Sequence, residues 1–233
     1  MFDIIDQQIG DVNGDHVPDI VYLVGEKKEN FFYENIKVIV QDGRTRRRYT
    51  ISLDNKYSIA YTPWLFLGSF INLTVNEIMI SMPVGGSGAL TYYYVISFFN
   101  NKADVILSPE SFMGLISNLK IEIEYMDDYK VLVKSIKLNQ SYILDISDRK
   151  AYYEGTLYDK NGKLMRQQEG FLIDLPHLSP IRMDGSETYK LQAQNAIAGT
   201  AHADRLGFTI TYWRYDTSSK SWVLDPAMFF VML

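Results

Sequence analysis

Short stretches of alternating apolar and polar residues dominate the chain, and polar turns separate them. In LKIEIEY (119–125), charged residues occupy every second position and apolar residues fill the positions between. A period of two is typical of a strand with one buried face. The pattern predicts strands at residues 19–25, 35–43, 48–53, 63–70, 77–82, 90–99, 103–108, 119–125, 129–136, 141–147, 152–159, 207–216 and 221–226.

One helix interrupts this pattern. It is predicted over residues 109–118, because Ser108 can cap it and Pro109 suits the first helical position. The segment 187–205 suits either a helix or a strand, since it is rich in Ala and Gln. The remaining turns contain Asp-Gly and Asn-Gly pairs, which favour hairpins.

The arrangement of strand and loop recurs at intervals of roughly 57 residues. IGDVNGDHVPDIVYLV aligns with LGSFINLTVNEIMISM at an offset of 58, which places Asp19 on Glu77. A fainter copy places Lys190 on Asp19 at an offset of 171. We therefore predict an all-β fold of repeated antiparallel four-stranded sheets, a small or irregular β-propeller-like architecture. The expected organisation is a single domain, 1–233, of about four blade-like repeats at residues 10–67, 68–118, 119–180 and 181–233.

Oxygen-bearing side chains crowd into the loop GDVNGDHVPD, directly before an apolar strand. Calcium is a hard cation that binds about six to eight oxygens. Without a cation, neighbouring carboxylates in one loop repel each other. The spacing predicts a Ca²⁺ site whose ligands are Asp11, Asn13, Asp15, the carbonyl of Val17, and Asp19. The alternative is a solvated turn that holds no metal.

This loop is not an EF-hand, because His16 and Tyr22 stand where that loop needs Gly and Glu. Residues 10–24 instead resemble the calcium loops of FG-GAP or VCBS-type repeats, found in integrin-like β-propellers. The whole chain is similar to uncharacterised single-domain VCBS-like proteins of spore-forming bacteria. The resemblance implies a blade-type β fold, calcium in the loop, and binding or adhesion rather than catalysis.

The chain departs from that family pattern at several positions. Gly is usual where His16 stands, and His tolerates the left-handed region at some cost. In the second copy Ile71 and Leu73 replace two ligands, and in the fourth copy Arg182 and Lys190 replace two carboxylates. Only the first copy is therefore expected to bind a metal.

Composition and charge limit the classes of partner and the cellular locations that the sequence predicts. A net charge of −5 and a pI near 5.2 give no basic field for nucleic acid. No apolar run of about 18 residues predicts a membrane span. Cysteine is absent, which excludes disulfides and thiolate metal sites. The N-terminus lacks the pattern of a signal peptide. An extracellular, cell-surface or spore-surface location suits a calcium loop, and a cytoplasmic one suits the missing signal.

Other motifs do not point to a reaction. The four arginines of GRTRRRY (43–49) form either an anion contact or an exposed hairpin rim. GGSG (85–88) precedes a strand rather than a helix, so it is not a phosphate loop. The three histidines lie far apart, and no G-x-S-x-G motif occurs.

The function that this sequence predicts is a non-catalytic calcium-binding β-repeat module, with a carbohydrate or a protein as its ligand. One alternative is a polysaccharide-acting enzyme, which requires a carboxylate pair across a cleft. The other is a purely structural protein.

Overall fold

The computed structural model describes residues 2–28, 32–86, 90–173, 177–183, 185–225 and 230–232. Strands far outnumber helices, which confirms the all-β fold of repeated antiparallel sheets. The strands are β1 Phe2–Gly10, β2 Asp19–Lys27, β3 Phe32–Gln41, β4 Arg48–Ser52, β5 Ala60–Tyr61, β6 Trp64–Gly68, β7 Glu77–Gly85, β8 Leu90–Ser97, β9 Asp104–Leu107, β10 Ile121–Met126, β11 Lys130–Ser135, β12 Gln140–Asp145, β13 Phe171–Leu172, β14 His177–Ile181, β15 Lys190–Ala198, β16 Arg205–Asp216, β17 Ser221–Leu224 and β18 Phe230–Met232.

Within the described residues two α-helices accompany the strands, α1 at Pro109–Ser117 and α2 at Lys150–Tyr153. Helix α1 confirms the helix predicted over 109–118, and β15 resolves the ambiguous segment as a strand. No helix in the described part of the chain is long and apolar enough to cross a membrane. The loop GGSG reaches beyond the described residues, because 87–89 are not among them.

The strand predicted at 152–159 is wrong, because α2 and a tight turn occupy this segment. Tyr153 and Tyr158 are both buried, and the carbonyl of Tyr153 accepts the backbone N–H of Tyr158 at 3.1 Å. Gly155 has a φ of 82°, a value suited to glycine in such a turn. The aromatic residues whose spacing suggested a strand are instead buried in the core by a compact turn.

The chain forms two compact units. Unit 1 consists of residues 1–112, 178–192 and 213–224. It contains one antiparallel sheet in the order β1-β2-β3-β4, with β5 paired to β3, and a second in the order β6-β7-β8-β9. Residues 213–216 of β16 pair with β17 in the same unit.

Unit 2 consists of residues 113–177, 193–212 and 225–233. It contains the antiparallel sheet β10-β11-β12. Strand β13 pairs with the end of β15, and β18 pairs with residues 208–210 of β16. Its core comprises Ile123, Tyr125, Tyr129, Val131, Val133, Leu144, Ile146, Tyr153, Leu157, Tyr158, Ile197 and Leu206.

The core of unit 1 fixes two similar strand pairs. Alternating residues of β2, β3, β7 and β8 are buried in it, and Val21, Val38, Ile78 and Ile96 are members. The pair β1–β2 closes with Gly10 opposite Asp19, and the pair β6–β7 closes with Gly68 opposite Glu77. Both partners shift by 58 positions, so the two connecting loops begin and end at equivalent points.

Candidate functional site

The predicted ligands lie together in the loop that joins β1 to β2, residues 11–18, which we call the first loop. Asp11 begins it, and its side chain is 16% exposed. Its Oδ1 accepts the backbone N–H of Gly14 at 2.7 Å, and its Oδ2 accepts that of His16 at 2.8 Å. His16 has a φ of 64°, which confirms the left-handed conformation expected there. One carboxylate therefore ties the loop across six residues.

Two further side chains bend the loop by bonding to the backbone two residues on. Asn13 Oδ1 accepts the N–H of Asp15 at 2.9 Å, and Asp15 Oδ1 accepts the N–H of Val17 at 2.8 Å. Such turns are common for Asn and Asp, whose short side chains reach that N–H without strain. They leave lone pairs on the same oxygens, since a carboxylate oxygen has about two.

Asp19 is fully buried where β2 begins. Its Oδ2 accepts the N–H of Val12 at 3.0 Å, and its Oδ1 accepts that of Gly43 at 2.9 Å. Burial raises the pKa of Asp19, the two backbone N–H groups act against that rise, and the carboxylates of Asp42 and Asp11 reinforce it. A Cβ at Gly43 would collide with the carbonyl oxygen of Pro18, so glycine permits this approach.

Arg44 brings a positive charge into the first loop from the β3–β4 hairpin. Its Nε lies 2.8 Å from Asp15 Oδ2, and its Nη2 donates to the carbonyl oxygen of Asp15 at 2.6 Å. The sequence pattern does not predict this pairing, because the arginine run and the acidic loop are separate motifs. Their opposite charges were the only signal, and residues 29 positions apart carry no local pattern that joins them.

The first loop also connects the two sheets of unit 1 through hydrogen bonds. The N–H of Asn76, next to β7, donates to the carbonyl of Asp11 at 2.9 Å. The N–H of Asn100 donates to the carbonyl of Asn13 at 2.9 Å, and the Asn13 side chain donates to Asn101 Oδ1 at 3.2 Å. The loop is therefore packed on both sides by its own unit.

The loop between β6 and β7, residues 69–76, repeats part of this arrangement, and we call it the second loop. Glu77 Oε2 accepts the N–H of Phe70 at 2.7 Å and that of Ile71 at 3.0 Å. The Phe70 bond spans seven residues, as does the bond between Val12 and Asp19. Burial raises the pKa of Glu77 to about 7, against the two backbone bonds that lower it.

The link from one loop to the next also recurs. The carbonyl of Ser69 accepts the N–H of Tyr189 at 2.8 Å, just as the carbonyl of Asp11 accepts that of Asn76. Asn76 and Tyr189 each directly precede the first residue of a strand, β7 and β15. The backbone plan is therefore independent of the carboxylates of Asp11 and Asp15, which have no counterpart in the second loop.

The oxygen donors of the first loop fit a hard cation chemically, but not all of them are free. Asp19 has a backbone N–H on each oxygen, and the guanidinium of Arg44 holds Asp15 Oδ2. Within the described residues, no three His, Cys, Asp or Glu side chains stand close enough to form a metal site. Asp11, Asn13 and Asp15 each keep lone pairs beyond their hydrogen bonds, so these three residues fit a cation best.

Carboxylates also gather in unit 2, where they bear on the enzyme alternative. Glu122, Glu124 and Glu169 line a hollow of about 260 Å³ with Gly170. Glu124 and Glu169 face each other across an isolated antiparallel bridge. All three glutamate residues are exposed. The arrangement lacks the burial with which a glycosidase raises the pKa of its acid.

Comparison with known proteins places the chain. A family model described as the YybI C-terminal domain matches residues 119–229. The chain is 33% identical over 208 residues to the uncharacterized protein YybI of Bacillus subtilis (strain 168), which covers 89% of this chain and 78% of that protein. The chain belongs to the YybI family. No solved structure matches it.

The YybI C-terminal model begins at β10 and covers most of unit 2. The first and second loops lie before the segment that it matches. Neither of these names describes an activity.

Proposed function

We propose that this protein is a non-catalytic β-repeat binding module whose first loop takes up a calcium ion, as the FG-GAP and VCBS-type loops do. The supporting observation is the contrast between the two loops. Both are closed by a buried acid at the start of a strand, yet only the first adds Asp11, Asn13 and Asp15. The lone pairs that these three side chains keep beyond their backbone hydrogen bonds are available for a ligand.

The same residues that bend the loop would hold the ion. Asp11, Asn13 and Asp15 supply the nearest oxygens, and the predicted carbonyl of Val17 would complete that side. Asp19 would contribute mainly through its charge, because both of its oxygens accept backbone N–H groups. Arg44 must release Asp15 first, so the arginine neutralises the loop whenever the ion is absent.

Calcium neutralises negative charge without itself supplying a reactive group here. A bound cation would offset the repulsion among the carboxylates and favour the ionised form of the buried Asp19. Its role in this proposal is to stabilise the loop between the sheets of unit 1. Ligand binding would then rest on the exposed surfaces of a rigid scaffold.

Thermal unfolding in calcium and in chelator tests the metal, together with elemental analysis of the purified protein. Stabilisation follows the ratio of free ion to dissociation constant, about 2.7 kcal/mol at a hundredfold excess. Asp15→Ala should abolish the shift, whereas Asp3→Ala, which removes an exposed carboxylate from β1, should preserve it. An equal melting temperature in calcium and in chelator, together with no metal in the purified protein, would refute the calcium proposal.

A second experiment separates binding from catalysis. Screening on a glycan array and on soluble polysaccharides, with a parallel measurement of released reducing ends, should give binding without hydrolysis. Steady release of reducing ends that Glu124→Gln or Glu169→Gln abolishes would instead support the enzyme.

A further inference from the structure

A buried carboxylate in unit 2, separate from the first loop, organises a polar network. The side chain of Asp204 is 4% exposed. Its Oδ1 accepts the hydroxyl of Tyr153 at 2.6 Å, and its Oδ2 accepts the N–H of Thr200 at 2.9 Å and the Thr200 hydroxyl at 3.2 Å. The hydroxyl of Tyr125 lies 3.4 Å from Oδ2. Asp204 therefore fixes the helix α2 and the loop 199–204 to each other.

The approach is close enough to require glycine. A Cβ at Gly199 would collide with the Tyr125 hydroxyl and the Asp204 carboxylate. The Gly199 N–H donates to the Asp204 carbonyl at 2.8 Å, which closes the loop on itself. The network is thus a rigid base beneath the surface of unit 2.

Tyr152 stands on this base and is 62% exposed. Its ring meets the buried ring of Tyr153 edge-on, with centroids 4.9 Å apart and an interplanar angle of 82°. The neighbouring Tyr153 is held by Asp204, so the backbone that carries Tyr152 is fixed. An exposed, positioned aromatic ring offers an apolar face at a small entropic cost.

Two concave spaces share Tyr152 in their lining. One, of about 350 Å³, is lined by Arg149, Ala201, Ala203 and Asp204 besides Tyr152. The other, of about 330 Å³, is lined by Tyr152, Tyr153, Thr156, Leu157, Arg166 and Thr200. Each lies near the lower limit for small-molecule pockets, so each suits a unit the size of a single sugar.

Each space also presents one arginine. Arg149 is 36% exposed, and its Nη1 forms an ion pair with the buried Asp204, 3.6 Å from Oδ1, which leaves its other N–H donors for a ligand. Arg166 is exposed and forms no hydrogen bond or ion pair with the described part of the chain. A guanidinium has five N–H donors and binds carboxylates with two parallel hydrogen bonds. One guanidinium in each space therefore suits a ligand that carries two carboxylates.

The same geometry disfavours catalysis at this place. Asp204 is the only carboxylate among the described lining residues, whereas a glycosidase needs two. Burial raises the pKa of the Tyr153 phenol, and the hydrogen bond to Asp204 adds to that rise, so the phenol stays protonated at neutral pH. The network is built to hold its shape rather than to react.

We infer that Tyr152, Arg149 and Arg166 form a binding site for an acidic saccharide, a short uronic acid chain whose rings lie beside Tyr152 and whose carboxylates reach the two arginines. This inference rests on the proposed role in binding, and it names the ligand class. It does not require calcium, because every residue of the site lies in unit 2.

Isothermal titration of the full chain with digalacturonate tests the site, with cellobiose as a neutral disaccharide and inorganic phosphate as a simple anion. We expect saturable binding of digalacturonate and none of cellobiose. Arg166→Gln and Tyr152→Ala should each weaken binding about tenfold or more, as expected for a lost charged hydrogen bond or a lost stacking face. Arg48→Gln removes an equally exposed arginine from unit 1 and should leave the affinity unchanged.

The outcomes separate this inference from the proposed function. No binding of digalacturonate, equal binding of cellobiose, phosphate binding that equals it, or unchanged affinity in both variants would each overturn the site. Both variants alter exposed side chains, and circular dichroism verifies that they fold. Binding that persists in chelator while no calcium effect exists would leave the site standing and reject only the calcium loop. Release of reducing ends would reject only the non-catalytic role.

Discussion

In the first loop, a buried aspartate closes a turn that contains carboxylates, whereas in the second loop a buried glutamate closes a turn that contains none. Asp19 accepts the N–H seven residues before it, and Glu77 does the same. Their partner glycines pair at equivalent positions. Leu73, which stands where Asp15 does in the first loop, is 53% exposed.

This difference separates two tasks of the acidic motif, which are to close the loop and to supply oxygens for an ion. The acid at the start of the strand satisfies buried backbone N–H groups, which is a requirement of the fold. The carboxylates inside the loop are optional for the fold, since the second loop has none and bends through Asn72, whose Oδ1 accepts the N–H of Thr74 at 3.0 Å. A loop can therefore lose its chemistry and keep its shape, and the retained oxygens of the first loop mark it as the candidate site.

The largest effect should follow from removing either closing acid. Asp19→Ala and Glu77→Ala each leave two backbone N–H groups without an acceptor, at about 1–3 kcal/mol for each group. We expect each variant to lose about 3 kcal/mol or more of unfolding free energy, measured in urea. Leu73→Ala, on an exposed side chain, should change it by less than about 0.5 kcal/mol. A loss under about 1 kcal/mol in either variant would mean that the closing acids are not structural.

The amide substitutions should divide the two acids. Glu77 accepts both N–H groups on one oxygen, so Glu77→Gln can keep both bonds. Asp19 uses both oxygens, so Asp19→Asn sets an amide N–H₂ against a backbone N–H and should destabilise. Equal losses of unfolding free energy in Glu77→Gln and Asp19→Asn, at both acidic and alkaline pH, would contradict this difference between the two acids.

The pH dependence of the wild type should originate largely in Glu77. Its pKa rises from 4.5 to about 7 on folding, so between those values the folded state holds more protons than the unfolded state. Stability is then greatest below the lower value, falls as pH rises, and is lower by roughly 3 kcal/mol above pH 7. Urea unfolding across this range should show the decline in the wild type and much less of it in Glu77→Gln.

Replacing Arg44 should give an effect of intermediate size. Arg44→Ala frees Asp15 Oδ2 and its carbonyl, so calcium affinity should increase by about tenfold, because the ion no longer competes with a guanidinium. In chelator the same variant should lose less than about 1 kcal/mol, since exposed ion pairs contribute little. Arg48→Ala is the matched control. Calcium titration that gives equal affinities for Arg44→Ala and the wild type would place the ion elsewhere.

The smallest effect on stability should come from glycine substitutions at the tips of the two loops, and its sign should differ between them. His16 has a positive φ, so His16→Gly should stabilise by about 0.5 kcal/mol, the difference between relieved strain and added chain entropy. Thr74 stands 58 residues later and donates its hydroxyl to Asn72 at 2.8 Å. Thr74→Gly should therefore destabilise by about 1 kcal/mol. Differential thermal unfolding can resolve the two signs.

The alternation of side chains was sufficient to predict most strands, because a half-buried strand requires a period of two. The offset of 58 also predicted which residues would occupy equivalent places, and the bonds of Asp19 and Glu77 agree with it. Strand β1 was not predicted, because its exposed residues break the alternation. The aromatic segment 152–159 was misassigned, since burial of Tyr153 in a turn leaves no periodic signal.

By itself, the sequence determined the β class, the positions of most strands, and the collection of hard oxygen donors within one loop, because these are local properties of residue type and spacing. Only the tertiary structure decided what those donors touch. Arg44 reaches Asp15 across 29 residues, and Asp204 joins two tyrosines that lie 51 and 79 positions away. Such contacts depend on which surfaces the packed sheets and turns bring together. The spacing of residue types along the chain does not show which distant residues will meet.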